Sequence, residues 1–168
     1  MKYLEKLTTI FFSALIAFLL VASSRGLIKD QTRSLSEVEV KVLTLYDVCV
    51  EGTLVPAARL QAHARAESDE LDSAIGDGGL SRSRFQLYEV YHAYRAEKYG
   101  EYDINDPAQA GRTAALFIQD TIYAFPGDPE MQMTAYRWGI EGARQRVADG
   151  RGPDMWYVER VMNARARI

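Results

Sequence analysis

From Leu7 to Ser24 the chain carries no charge, and its centre, Ile10 to Val21, is almost wholly apolar. Lys2 and Lys6 precede this run, and Arg25, Lys29 and Arg33 follow it. A basic start, an apolar stretch and the small residues Ala22-Ser23-Ser24 are the layout of a secretory signal. The run also reaches the length of a membrane span. Residues 1–24 are therefore expected to form a hydrophobic helix, serving as a cleaved signal peptide or as a membrane anchor. Residues 25–34 read as a linker and 35–168 as one domain. The positive charges behind the run resist translocation, so charge alone leaves its orientation open.

Past residue 34 the spacing of apolar positions becomes helical. Ser36-Glu37-Val38-Glu39 has the capping-box pattern, and Val38, Val42, Leu45, Tyr46 and Cys49 share one helical face. The alternation from Val38 to Val42 fits a strand equally. Gly52 ends this segment, and Pro56 opens an Ala-rich helix over 57–67, where a missing N–H costs nothing. Residues 72–84 show no clear period and read as a loop or small hairpin. Further helices are expected at 86–98, 107–125, 128–148 and 153–166. Asp106-Pro107 and Asp128-Pro129 each pair a capping carboxylate with a proline at the first helical position. Gly127 and Gly150-Arg151-Gly152-Pro153 separate the last three helices. The fold class is mainly α.

Composition narrows the function more than the fold. The 168 residues suit a single domain, and a net charge of -3 excludes a dedicated nucleic-acid binder, which needs a basic surface. Cys49 is the single cysteine, so no internal disulfide forms, and its Val and Leu neighbours make it a small buried hydrophobe. No metal or other cofactor is called for. His63 and His92 have no partners at metal-ligand spacing, and the Asp77-Gly78-Gly79 turn lacks the spaced oxygen ligands of a calcium loop.

The candidate chemistry lies between Glu67-Ser68 and Phe85-Gln86. A carboxylate at the end of an Ala-rich helix faces a Gly-rich turn and then a glutamine. A glycosidic oxygen leaves only when protonated, and an acid that keeps its proton near neutral pH needs a partly apolar setting. Ala62, Ala64 and Ala66 supply small neighbours that let a polymer approach. Taken alone, a glutamate on a helix is a solvated charge; the surrounding pattern gives Glu67 its weight.

That pattern resembles the soluble lytic transglycosylases and the goose-type lysozymes, which share a lysozyme-like fold. Their helix ending in Glu-Ser, Gly-containing turn and Gly-Leu-Met-Gln are similar to Glu67-Ser68, Gly76 to Gly79 and Ser83-Arg84-Phe85-Gln86. Asp106 to Ala115, Phe125-Pro126-Gly127-Asp128, Thr134 to Gly139 and Trp156 to Val161 are similar to four later motifs of the family, in the same order. The resemblance implies a lysozyme-like helical domain with a small loop or hairpin at its active site. It also implies cleavage of the bond between N-acetylmuramic acid and N-acetylglucosamine in peptidoglycan. Glu67 would be the single acid and base, closing a 1,6-anhydro ring. Tyr157 matches the tyrosine that orients the glutamate, and Ser68, Gln86, Tyr136 and Gly139 match positions along the glycan groove.

Several alternatives stand beside this reading. Asp77 matches an aspartate of the goose-type lysozymes that would orient a water and make the enzyme a hydrolytic muramidase; it also fits a residue capping its own turn. Gln86 suits the satisfaction of buried backbone groups, and Tyr136, Trp138 and Trp156 lie at spacings typical of core. Ser83, Arg84 and Arg137 depart from the family pattern and are expected to bring bulk and positive charge to the cleft. Those departures favour an inactive module that binds glycan, or proteins of an envelope machine or virion. The expected partners are peptidoglycan strands and, through an uncleaved N-terminal segment, the membrane. The expected location is exported: periplasmic, anchored in the inner membrane, or on a phage particle.

Overall fold

A computed structural model describes residues 43–168. The signal or anchor segment, the linker and the Ser36–Glu39 cap lie outside the described residues. Among the described residues there are six helices: α1 (Leu45–Cys49), α2 (Ala57–Ser68), α3 (His92–Tyr99), α4 (Pro107–Ala124), α5 (Pro129–Ala148) and α6 (Met155–Arg165). Between α2 and α3 lie three short strands, β1 (Ile75–Gly76), β2 (Ser81–Arg82) and β3 (Leu87–Tyr88). They form an antiparallel sheet in the order β1-β2-β3, with Gly76 opposite Ser81 and Ser81 opposite Tyr88. The described domain is thus mainly α with one small sheet. Among the described residues no helix is long and apolar enough to cross a membrane.

The capping signals explain the helix starts. Asp106 accepts hydrogen bonds from the N–H groups of Ala108 and Gln109, and Asp128 from that of Met131, each ahead of a proline. Asp154 caps α6 in the same way, accepting from the Tyr157 N–H. Thr44 is extended and forms a capping box with Asp47. The expected helical face is therefore interrupted at Thr44, and α1 begins at Leu45. Of the expected inner face, Tyr46 and Cys49 are buried and Leu45 is half-buried, while Val38 and Val42 lie outside the described residues.

Two further expectations change. The helix expected over 86–98 begins only at His92; Leu87–Tyr88 is a strand and Glu89–Tyr91 a 3-10 turn. Gln86 has φ 47°, which a right-handed helix cannot accommodate. The helix expected over 128–148 is α5, but Gly139, at φ 74° and ψ 161°, divides it into two halves across a kink.

The core is built of small residues around a few large ones. Leu60, Ala62, Ala64, Phe85, Ala110, Ala114 and Ile118 have no exposed surface. Helix α2 packs mainly on α6, and α4 on α5 and α1. Gly111 marks the tightest of these contacts. A Cβ there would fall on the Cys49 sulfur and the edge of the Phe85 ring, and overpacking of this kind costs about 1–3 kcal/mol. Gly111→Ala is therefore expected to lower the melting temperature by roughly 3–10 °C, read by circular dichroism.

Candidate active site

The C-terminal turn of α2 carries the central carboxylate, and the chain after it is fastened at several points. Asp69 closes the helix in the left-handed conformation, with its N–H on the Arg65 carbonyl. Glu70 then accepts from the Tyr46 hydroxyl at 2.7 Å and pairs with Arg65. Ser68 donates to the Arg84 carbonyl at 3.0 Å and accepts from the Leu71 N–H. It is absent from the groove lining, so its place is structural: it ties the end of α2 to the segment between β2 and β3.

Glu67 itself faces a groove of about 1370 Å³. From the first turn of α6, the Tyr157 hydroxyl donates to Glu67 Oε1 at 2.5 Å. Burial raises the Glu67 pKa above the ordinary glutamate value. The Tyr157 hydrogen bond and the charges of Arg160 and Arg137 oppose that rise, and the Asp77 charge adds to it. The carboxyl is thus a group that holds its proton more tightly than a solvated glutamate does.

The other expected residues gather around it unequally. Gln86, Asp77, Tyr136, Gly139 and Tyr157 all line the same groove. The Gln86 amide is also a clamp for the sheet. Its oxygen accepts from the Ser81 hydroxyl at 2.8 Å, and its nitrogen donates to the carbonyls of Ser83 (2.9 Å) and Ala74 (3.3 Å). A side chain at Gly76 would collide with that amide. The Asp77 carboxylate lies 3.2 Å from the Ser81 hydroxyl on β2, beside Tyr88 on β3, and faces the groove. Tyr136 is buried and donates to the Phe85 carbonyl at 2.9 Å.

The aromatic walls were ambiguous in the sequence. Trp138 and Trp156 are half exposed, at 50% and 59%, so they are surface and not core. Tyr91 and Tyr94 are also exposed along the groove. Arg137 stacks over Trp156 with its guanidinium carbon 4.5 Å from the ring centroid, and its Nε lies 3.6 Å from Asp154. The Trp138 indole donates to the same carboxylate at 2.6 Å.

Of the three departures expected to crowd the cleft, only Arg137 lines it. Arg84 reaches the other way, to Asp72 at 2.5 and 2.7 Å and to the Tyr46 hydroxyl at 2.9 Å. Ser83 is buried, with φ 66°, a conformation that favours glycine. Reading the sequence also missed His63, whose Nδ1 lies 3.1 Å from the Tyr157 hydroxyl. Its separation of four residues from Glu67 places both on one helical face, and that spacing was the available signal. Among the described residues no group of three or more His, Cys, Asp or Glu is placed to hold a metal ion.

No family model, no curated protein and no solved structure matches this chain.

A raised carboxyl pKa is also a stability statement. The native state binds the Glu67 proton more tightly than the unfolded chain does, so this contribution is fully present below the unfolded pKa. It is lost as pH rises through the folded one. Glu67→Gln is therefore expected to melt at a higher temperature than the wild type at pH 7. The difference should shrink as pH falls below the ordinary glutamate range, as measured by thermal melts across pH.

Proposed function

We propose that this protein is a peptidoglycan lytic transglycosylase with a lysozyme-like domain, and that Glu67 is its acid and base. The observation that carries the reading is the half-buried Glu67, held by Tyr157 at 2.5 Å and opening on an aromatic-walled groove. A glycan strand offers sugar faces to such aromatic side chains and a glycosidic oxygen to the acid.

The reaction proposed is the one that the family resemblance implies. Protonated Glu67 gives its proton to the glycosidic oxygen between N-acetylmuramic acid and N-acetylglucosamine, and the bond from that oxygen to C1 breaks. The acetamido oxygen of the muramic residue bonds to C1 and carries the positive charge as a cyclic oxazolinium ion, which removes the need for a second carboxylate. Glu67, now a carboxylate, takes the proton of the C6 hydroxyl. O6 attacks C1 and displaces the acetamido oxygen, closing the 1,6-anhydro ring. Glu67 ends protonated and no water is consumed. Tyr157 steadies the carboxylate between the two transfers.

A second reading rests on Asp77, which lines the same groove. If it orients a water, the product is a hydrated reducing end. Its contacts with Ser81 on β2 and Tyr88 on β3 favour a structural role instead. The inactive-module reading loses two of its three supports, because neither Ser83 nor Arg84 lines the groove. The proposed substrate also places the domain outside the inner membrane, as an envelope enzyme or a wall-opening protein of a phage, exported by residues 1–24.

Two measurements test the proposal. Glu67→Gln keeps the shape of the acid but cannot donate its proton, and solubilisation of purified peptidoglycan is expected to fall about a hundredfold or more. Equal turnover by the variant would refute the assignment. In mass spectra of the wild-type digest, muropeptides should be lighter by one water than hydrolytic products. A digest with only hydrated ends would transfer the assignment to the muramidase reading.

A further inference from the structure

Next to the proposed acid lies a buried histidine that the reaction above does not use. His63 sits one helical turn before Glu67 on α2 and has no exposed surface. Its Nδ1 is 3.1 Å from the Tyr157 hydroxyl, which in turn is 2.5 Å from Glu67 Oε1. The Tyr136 ring covers it, with centroids 4.4 Å apart. Nε2 is buried and has no hydrogen-bond partner.

Counting protons along this chain fixes its direction. The Tyr157 hydroxyl has one proton to give. An ionised Glu67 can only accept, so the proton points to Oε1, and the hydroxyl oxygen is left to accept from His63. That requires the hydrogen on Nδ1. Burial, and then the charge of Arg59, lower the His63 pKa to about 3, so the ring is neutral near pH 7 and carries a single proton. The opposite tautomer would bury an unpaired N–H at Nε2. It would also turn Nδ1 into an acceptor competing with Glu67 for the tyrosine proton. Glu67 Oε2, by contrast, has no hydrogen bond among the described residues, and the side chain lines the groove.

We propose that His63 is a positioning residue: as the Nδ1–H tautomer it holds the Tyr157 hydroxyl as a donor to Glu67 Oε1, so that the acid carries its transferable proton on Oε2. The hydrogen-bond chain stands by itself, and only the use of that proton on a glycan rests on the transglycosylase reading. Accepting from His63 polarises the hydroxyl and makes it a stronger donor to the carboxylate. Removing His63 therefore weakens the support of the ionised form and raises the Glu67 pKa.

The test uses the full-length chain with nitrogen-labelled histidine and carbon-labelled glutamate, as wild type, His63→Leu and His63→Asn. Asparagine retains an N–H near the position of Nδ1. In the wild type the His63 ring should show the neutral Nδ1–H tautomer from pH 5 to 8. The Glu67 carboxyl should titrate at higher pH in His63→Leu and return towards the wild-type value in His63→Asn. On peptidoglycan, kcat should fall on the order of tenfold in His63→Leu with KM little changed, and recover in His63→Asn. An Nε2–H tautomer, or a folded His63→Leu with unaltered Glu67 titration, would overturn the proposal. If His63→Leu does not fold, the wild-type tautomer and His63→Asn decide it. The tautomer in the wild type and the titration shift in His63→Leu, with no muropeptides released by the wild type, would uphold the hydrogen-bond chain and refute only the glycan-cleaving reading.

Discussion

The close packing of α2 on α6 is the constraint on which the rest of the site depends. Glu67 ends one helix and Tyr157 begins the other, ninety residues later in the chain. A 2.5 Å bond between two such short side-chain ends requires the helices to approach closely. The alanines of α2 are buried within this packing: Ala62 and Ala64 have no exposed surface and Ala66 has 2%. Larger residues at these positions would overpack the core around α2. The fixed end of α2, with Glu70 drawn to Tyr46 and Arg65, keeps the glutamate from swinging into solvent.

The same packing sets the electrostatics. A carboxyl partly withdrawn from water resists ionisation, and two arginines and one phenol temper that resistance. Asp154 joins several of these parts. It caps α6 next to Tyr157, accepts from Trp138 and lies near Arg137. The Asp154 N–H also donates to the Thr134 hydroxyl on α5 at 2.8 Å. One aspartate therefore coordinates the start of α6, an aromatic wall and the guanidinium facing the acid. The kink at Gly139 follows Trp138 directly, where a continuous helix would give the indole a different direction.

Much of the fold was legible because its signals are local. Asp106-Pro107 and Asp128-Pro129 identify helix starts by chemistry that operates within three residues, and α4 and α5 begin there. The sheet was legible only as a loop or hairpin, since strands of two residues show no period. The false helix start at Gln86 has the same origin: a left-handed φ at a non-glycine residue depends on the clamp that Gln86 makes with Ser81, Ser83 and Ala74. The pairing of Glu67 with Tyr157 came from the resemblance; Gln86, Tyr136 and Gly139 line the same groove. The direction of Arg84 was not legible, because its partners Tyr46 and Asp72 lie far from it in the chain and nothing local selects them. His63 was passed over as an isolated histidine, although its spacing to Glu67 was in view.

The central claim is that a glycan strand lies in the groove across Glu67. It is tested most directly by titrating an oligomer of alternating N-acetylglucosamine and N-acetylmuramic acid into labelled Glu67→Gln protein and following the NMR signals. The account predicts saturable shifts of the Gln86 and Gly139 amides and of the Trp138 indole N–H. Shifts confined to other faces, or no response at millimolar oligomer, would contradict it.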